Sequence, residues 1–422
     1  MTRDNAMASR SASVDPFLFL ILAGAIVLPR VPIGGLGLRI SDIIALGVVP
    51  LLILLRHRFA RVPQFGYLIS IWLAMLSSTL YGYAVLGVPL SLRDLNELVR
   101  MAIPFLVLWA SVSLPLTSLR KTIIVLFRFG TPLLITFGVL QYLFPTLIPT
   151  AVLDLYGGRS HVEVLMTRRF PRVFVTGTDP NAGAAILLLF FLYHAGSLIV
   201  RKSYRSLIPA AAFLFLIAVT GSRTVFVALL CSILLFLVGS RRVRLSSKFA
   251  VFTLFVTFVV IVWIRVDYIR LGFQMLLAGE NRSWLVRVDN FRESFALFRQ
   301  SPLFGWGPAK AIHPTVVDGE YFLLLRRFGL LGFVLVIGFM KNASFLAYRS
   351  VRPTKFAADS RDVVLISTFL FYSVSMFVIM ITNNFLSGYQ LAIPYMVLLG
   401  FVVQVRQFTK NQDRSWLPRR SV

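Results

Sequence analysis

Residues 206–239 read SLIPAAAFLFLIAVTGSRTVFVALLCSILLFLVG, two apolar runs joined only by the turn Gly221-Ser222-Arg223. Apolar runs that approach the roughly 20 residues needed to cross a bilayer read as membrane helices, and two in tandem read as consecutive spans. Outward from this pair the pattern repeats. The chain of 422 residues is 57% hydrophobic, with mean hydropathy +0.80, well above the balance of a soluble protein. Twelve apolar segments stand out: 17–29, 40–55, 65–86, 101–116, 121–144, 181–200, 206–221, 223–239, 249–265, 320–340, 363–382 and 389–406. The expected fold is all-α: a polytopic membrane protein of about 12 transmembrane helices. A single membrane domain, 14–406, lies between basic tails 1–13 and 407–422. The first and fourth segments are short, as tilted or partly re-entrant elements are. The first run, Phe17 to Pro29, lacks a small-x-small cleavage site and reads as a span rather than a cleaved signal.

The formal charge is +26. The basic residues are scattered through short connections between spans, as topology signals are, so no nucleic-acid partner is expected. An even number of spans puts both termini on one side. Arg56, Arg58, Arg61, Arg120, Lys121, Arg201, Lys202, Arg205, Arg241, Arg242 and Arg244 fall on that side, which the positive-inside rule makes cytoplasmic. The opposite, periplasmic side then holds two long loops, 145–180 and 266–319. It also holds most of the acids, including Asp94, Glu97, Asp179, Asp289, Glu293, Asp318 and Glu320. The lone Cys231 allows no intramolecular disulfide, and His57, His161, His194 and His313 show no metal-ligand spacing. No metal or cofactor is called for.

Charge kept beside a membrane span is costly, so three stretches on the outer side are candidate chemistry rather than mere connections. The first is RRFPRVFVTGTDPNAGAAILLL, 168–189. Arg168, Arg169 and Arg172 precede Asp179-Pro180-Asn181, a helix entry in which Asp179 can cap and Pro180 suits the first turn. Arginine forks beside a helix N-terminus make a phosphate seat, and the small residues 182–185 let another helix or a lipid chain approach. The second is Gly221-Ser222-Arg223. A cation at a helix start opposes the helix dipole and needs another partner, an anion or the headgroup region. The third runs from Arg282 to Gly332. Arg282, Trp284, Arg287, Arg292 and Arg299 sit in a helical segment, and Pro302, Gly305, Gly307 and Pro308 make a tight turn. Then come His313, Asp318, Glu320 and Tyr321, with Tyr321 opening a span. Arg326 and Arg327 lie too deep to snorkel and are expected to face the protein interior or a water-filled cavity.

Together these residues resemble the bacterial O-antigen ligase and Wzy-type polysaccharide polymerase superfamily. The resemblance rests on Arg172, Gly177-Thr178 and Pro180-Asn181, with ten residues between Arg172 and Gly183. It rests also on Gly221-Ser222-Arg223, on Arg282 and Trp284 followed by Pro302 to Gly307, and on Asp318 to Tyr321 followed by Gly329 to Gly332. The ligases of this superfamily typically show His, followed by Asn, where this chain has Asp318-Gly319, and His313 lies five positions too early. That departure favours the polymerase branch.

The resemblance implies a metal-independent, inverting glycosyltransferase. It would move a growing O-antigen or exopolysaccharide chain from undecaprenyl pyrophosphate to a new undecaprenyl-pyrophosphate-linked repeat unit. Its partners would be those lipid-linked oligosaccharides, membrane lipid and a chain-length regulator. Arg172 and Arg282 would stabilise the pyrophosphate, with Arg168, Arg169, Arg223 and Arg287 beside them. Asn181, Tyr321 and His313 would contact substrate. Asp318 would accept the hydroxyl proton, with Glu320 as the reserve base. A ligase acting on lipid A-core and a twelve-span transporter are the competing readings. The transporter reading fits less well, because the sixth and seventh segments are joined by only a few residues and the long connections lie outside.

Overall fold

The computed structural model describes residues 13–28, 30–31, 38–39, 41–47, 50, 62–145, 147, 172–177, 179–239, 245–265, 267–313, 317–351, 359–385 and 390–415. It is an all-α polytopic membrane protein. Seven helices among the described residues are long and apolar enough to cross a membrane. These are α2 (Pro63–Ala84), α3 (Leu92–Ser113), α4 (Leu116–Leu143), α5 (Pro180–Arg201), α11 (Glu320–Val351), α12 (Ser360–Ile379) and α13 (Ala392–Ser415, apolar to Lys410). Shorter apolar stretches lie in α1 (Pro16–Ile26), α6 (Leu207–Thr220), α7 (Arg223–Gly239, apolar to Leu237) and α8 (Leu245–Arg265, apolar over Phe255–Ile264). Two more, α9 (Asp267–Leu277) and α10 (Arg282–Gln300), lie in the long connection expected at 266–319. A two-residue antiparallel pair, Arg30–Val31 with Leu38–Arg39, is the one strand contact among the described residues.

Eleven of the twelve apolar segments correspond to a helix. The remaining one, 40–55, is helical over 41–47, and most of its second half lies outside the described residues. The fourth is longer than its hydropathy suggests, because α3 starts at Leu92 rather than near 101. Ser91 and Asp94 form a capping box there, each side chain accepting the other residue's backbone N–H. Asp94 and Glu97, expected in a connection between spans, are instead buried in the first two turns of α3. The last helix also overruns its expected end, continuing to Ser415 through residues assigned to the basic tail.

The core is built around α5, α12 and α13. α5 packs on α6 and α12, α13 on α3, and α11 on α2, α10 and α12. Phe369, Tyr372, Tyr395 and Phe401 are fully buried. Away from the core, Leu73, Leu80, Phe129, Val334 and Phe345 stay exposed on long apolar helices, as lipid-facing residues do. Buried hydroxyls bridge helices. Ser373 joins Ser344 at 2.7 Å and Tyr395 at 2.9 Å, tying α11, α12 and α13, while Thr131 and His194 join α4 to α5 at 2.8 Å. Such bonds contribute on the order of 0.6 kcal/mol each in a membrane bundle, and they fix rotation and register.

The feature that positions the site is a break in α11. Gly329 has φ 60° and ψ −162°, a conformation essentially reserved for glycine. Breaking a helix frees carbonyls before the break and N–H groups after it, and at membrane depth these must find partners inside the protein. The Pro302-Leu303-Phe304-Gly305-Trp306-Gly307 segment supplies them. Trp306 and Gly307 donate their N–H groups to the carbonyls of Arg326 (3.0 Å) and Arg327 (2.7 Å). Leu330 and Leu331 donate to the carbonyls of Pro302 (2.8 Å) and Leu303 (3.2 Å). This stretch, expected as a tight turn, is therefore a clasp laid across the break. A Cβ at Gly305 would lie 2.6 Å from the Arg327 backbone, and one at Gly329 would run into the Leu303 carbonyl, so close approach requires both glycines. On its other side the clasp meets α2, where the Ser78 hydroxyl donates to the Phe304 carbonyl.

Candidate active site

The end of α12 and the residues just after it hold the segment that opens α11. Asn384 accepts the Gly319 N–H at 3.3 Å and donates to the Val317 carbonyl at 3.0 Å. The Glu320 N–H donates to the Met380 carbonyl at 2.9 Å, and the Tyr321 hydroxyl to the Phe377 carbonyl at 2.7 Å. Residues 317–321 are thus pinned along the end of α12, and Tyr321 spends its hydroxyl on this anchoring. Within the segment Glu320 is buried, whereas the Asp318 side chain is 55% exposed. Asp318 faces α10, where its carboxylate lies 3.4 Å from Arg287 Nε. So the structure brings Arg287 and Asp318 together, and it makes Asp318 more accessible than Glu320.

His313 follows the clasp in sequence, its ring edge-on to Trp306 of the clasp at 5.7 Å. Burial, helped by the Arg326 guanidinium and opposed by Glu293, holds its pKa below the usual histidine value. Arg326 and Arg327 are both buried, as their depth required. Arg327 Nη1 donates to Glu97 Oε1 on α3 at 3.1 Å. Glu97 Oε2 accepts from Lys310 Nζ, and the Lys310 N–H donates to Asp94 Oδ1 at 2.9 Å. The pairing in this buried group was not legible in the sequence, because its acids lie more than 200 residues from its bases. The available signals were the depth of Arg327 in its span and the pair of acids three residues apart, Asp94 and Glu97, which share a helix face.

Arg172 occupies a second focus. Its Nε donates to the Thr220 carbonyl at 2.6 Å, where α6 ends, and its Nη2 to Asn181 Oδ1 at 3.4 Å, where α5 begins. The residues after it are held by Gln141, which accepts the N–H groups of Phe174 and Val175 and donates to the Val175 carbonyl. That grip supports Val175 at φ 50°, a strained value for a β-branched residue. Asp179 caps α5 as expected, accepting the N–H groups of Asn181 (2.7 Å) and Ala182 (3.1 Å). Those two N–H groups are consequently spent on Asp179, so an anion at this focus must be met by arginine side chains rather than by the helix end. The close approach expected at the small residues is made by the chain itself: a Cβ at Gly183 would strike the Phe174 carbonyl.

Arg223, at the start of α7, donates from Nη1 to the Gly272 carbonyl on α9 at 2.8 Å, and Asn281 donates to the same carbonyl at 3.0 Å. Asn281 caps α10, so this bridge sets the helix that begins with Arg282. The Arg282 side chain, together with Arg168 and Arg169, lies outside the described residues. The two foci are linked through α7: Thr224 meets Thr382 at 2.6 Å, two residues before the Asn384 that holds Val317 and Gly319.

This ordered set of turn, capped helix, clasp and broken helix falls within one recognisable unit. Residues 208–337 match the O-antigen ligase family model. The match takes in Gly221-Ser222-Arg223, α10, the clasp and the break at Gly329, while Arg172, Asn181 and Glu97 lie outside it. It supports the superfamily that the motifs resemble, and with it a glycosyltransferase-type enzyme of polysaccharide processing in a multi-pass membrane protein. It does not separate the polymerase branch from the ligase branch. No curated protein matches the chain.

Proposed function

We propose that the protein is a polymerase of lipid-linked surface polysaccharide. The observation that carries the reading is Asp318: an exposed carboxylate on a segment fastened to α12, paired with Arg287, standing where the ligases that this chain resembles have His. A hydroxyl of the acceptor repeat unit attacks the anomeric carbon of the sugar attached to the donor pyrophosphate. The new glycosidic bond forms on one face as the sugar–pyrophosphate bond breaks on the other, which inverts the centre. The hydroxyl proton passes to Asp318, and undecaprenyl pyrophosphate departs with the bonding electron pair. Charge builds on the departing pyrophosphate, and guanidinium groups, always protonated and able to bind phosphate through two bonds, suit that charge. Arg172 and Arg282 fill that role, with Arg168, Arg169, Arg223 and Arg287 around them. Asn181 and His313 contact substrate from the edges, and Tyr321 acts through the anchoring of its helix.

The site faces the periplasm of a bacterial inner membrane, with both termini in the cytoplasm. This orientation follows from the distribution of basic residues between spans. The substrates are undecaprenyl-pyrophosphate-linked oligosaccharides of an O-antigen or exopolysaccharide, and a chain-length regulator is the expected protein partner. The test is gel analysis of surface polysaccharide from a deletion strain. Loss of a polymerase leaves single repeat units attached to the final carrier. If no repeat unit reaches that carrier, the protein is a ligase.

A further inference from the structure

Glu97 is a buried carboxylate shared by two cations. Its Oε1 accepts from Arg327 Nη1 at 3.1 Å and its Oε2 from Lys310 Nζ. The side chains of Glu97 and Arg327 are 7% and 5% exposed, and that of Lys310 26%. Removing charges from water is expensive, and replacing a buried ionic group by well-packed apolar residues is often neutral or stabilising. Stability alone is thus a weak reason for this cluster to exist. Its location suggests another. Arg327 stands two residues before the break in α11, and its carbonyl accepts from Gly307 of the clasp. Lys310 follows the clasp in sequence, and its backbone N–H is held by Asp94, one turn before Glu97 on α3. Glu97 and Asp94 therefore grip the clasp and the broken helix at one point. The two halves of a broken helix meet at an angle that their contacts set, and the half before Gly329 begins at Glu320, two residues after Asp318.

We infer that Glu97 is a positioning residue: through Arg327 and Lys310 it fixes the angle of the half-helix that presents Asp318 to the acceptor hydroxyl. The inference rests on the proposed role of Asp318. Displacement of a reacting group by about 1 Å costs on the order of 100-fold in rate, so an ionic tie at the pivot has the leverage to govern turnover without touching substrate.

The test uses the full-length protein in vesicles with undecaprenyl-pyrophosphate-linked repeat units, comparing wild type, Glu97→Gln, Glu97→Asp, Asp318→Ala and the apolar triple variant Glu97→Leu/Lys310→Met/Arg327→Met. Thermal melting is measured beside turnover and half-saturation. Glu97→Gln lowers turnover about 10- to 100-fold with little change in half-saturation, and Glu97→Asp recovers part of the loss. The triple variant melts closer to wild type than Glu97→Gln does, yet stays slow. Recovery of turnover together with melting temperature in the triple variant, or wild-type turnover in Glu97→Gln, overturns the inference while the role of Asp318 stands. Full activity in Asp318→Ala removes that role and the inference with it. Should the triple variant fail to fold, the turnover of Glu97→Gln and its rescue by Glu97→Asp still decide the matter.

Discussion

An Asp318→Ala variant is expected to lose long polysaccharide chains while the full-length protein still accumulates in the membrane. The size of the effect follows from the role. A positioned general base contributes about 100- to 10,000-fold, and a polymerase slowed that far no longer extends chains on the timescale of growth. The fold survives because the side chain is largely exposed and its contact with Arg287 is a partly solvated ion pair, worth at most about 1 kcal/mol. The backbone around it is held by Asn384 and Met380, and the substitution touches neither bond. Asp318→Asn should match the Ala variant, since it keeps the shape and removes the proton acceptor. The check is a surface-polysaccharide gel read beside an immunoblot of membranes. Chains of wild-type length in Asp318→Ala would remove the residue from the reaction.

Gly329→Ala strikes the fold instead. Alanine must adopt φ 60°, ψ −162°, which costs about 1–3 kcal/mol in backbone strain alone, and its Cβ runs into the Leu303 carbonyl. To make room, the clasp must lift from the break, which exposes the carbonyls of Arg326 and Arg327 and the N–H groups of Leu330 and Leu331. Each buried backbone group left without a partner costs a further 1–3 kcal/mol or so. The expected result is a fall in melting temperature on the order of 10 °C for detergent-purified protein, or failure to accumulate. Gly87→Ala is the control. Gly87 also has positive φ, at 68°, but a Cβ there meets nothing within 4 Å. Equal losses in the two variants would mean that only backbone strain matters and that the clasp contributes nothing.

The sequence displays the spans plainly because apolar length is a local property. It displays the entry to α5 for the same reason, since Asp179, Pro180 and Asn181 act within a single turn. What local reading loses is charge that is paired across the fold. Leu92 to Arg100 carries two acids and two bases, so a hydropathy window starts the helix near 101 and assigns Asp94 and Glu97 to a connection. In the folded protein Lys310 and Arg327 accompany Glu97, and the helix begins nine residues earlier. The Gly-rich clasp is legible as a place where glycine is needed, but its partner is not: the spacing of Gly305 and Gly307 gives no hint that Gly305 lies against a third glycine, Gly329. Arg172 is a milder case. Its nearness to Asn181 follows from the chain, whereas its bond to the end of α6 does not.

The most direct measurement is reconstitution of the purified protein into vesicles with undecaprenyl-pyrophosphate-linked single repeat units as the only glycan substrate, followed by gel separation of the lipid-linked products. A polymerase yields a ladder of longer chains still attached to undecaprenyl pyrophosphate, in step with release of free undecaprenyl pyrophosphate, with no other acceptor present. No ladder from these substrates, together with transfer of a glycan once lipid A-core is added, would contradict the polymerase reading and make the protein a ligase.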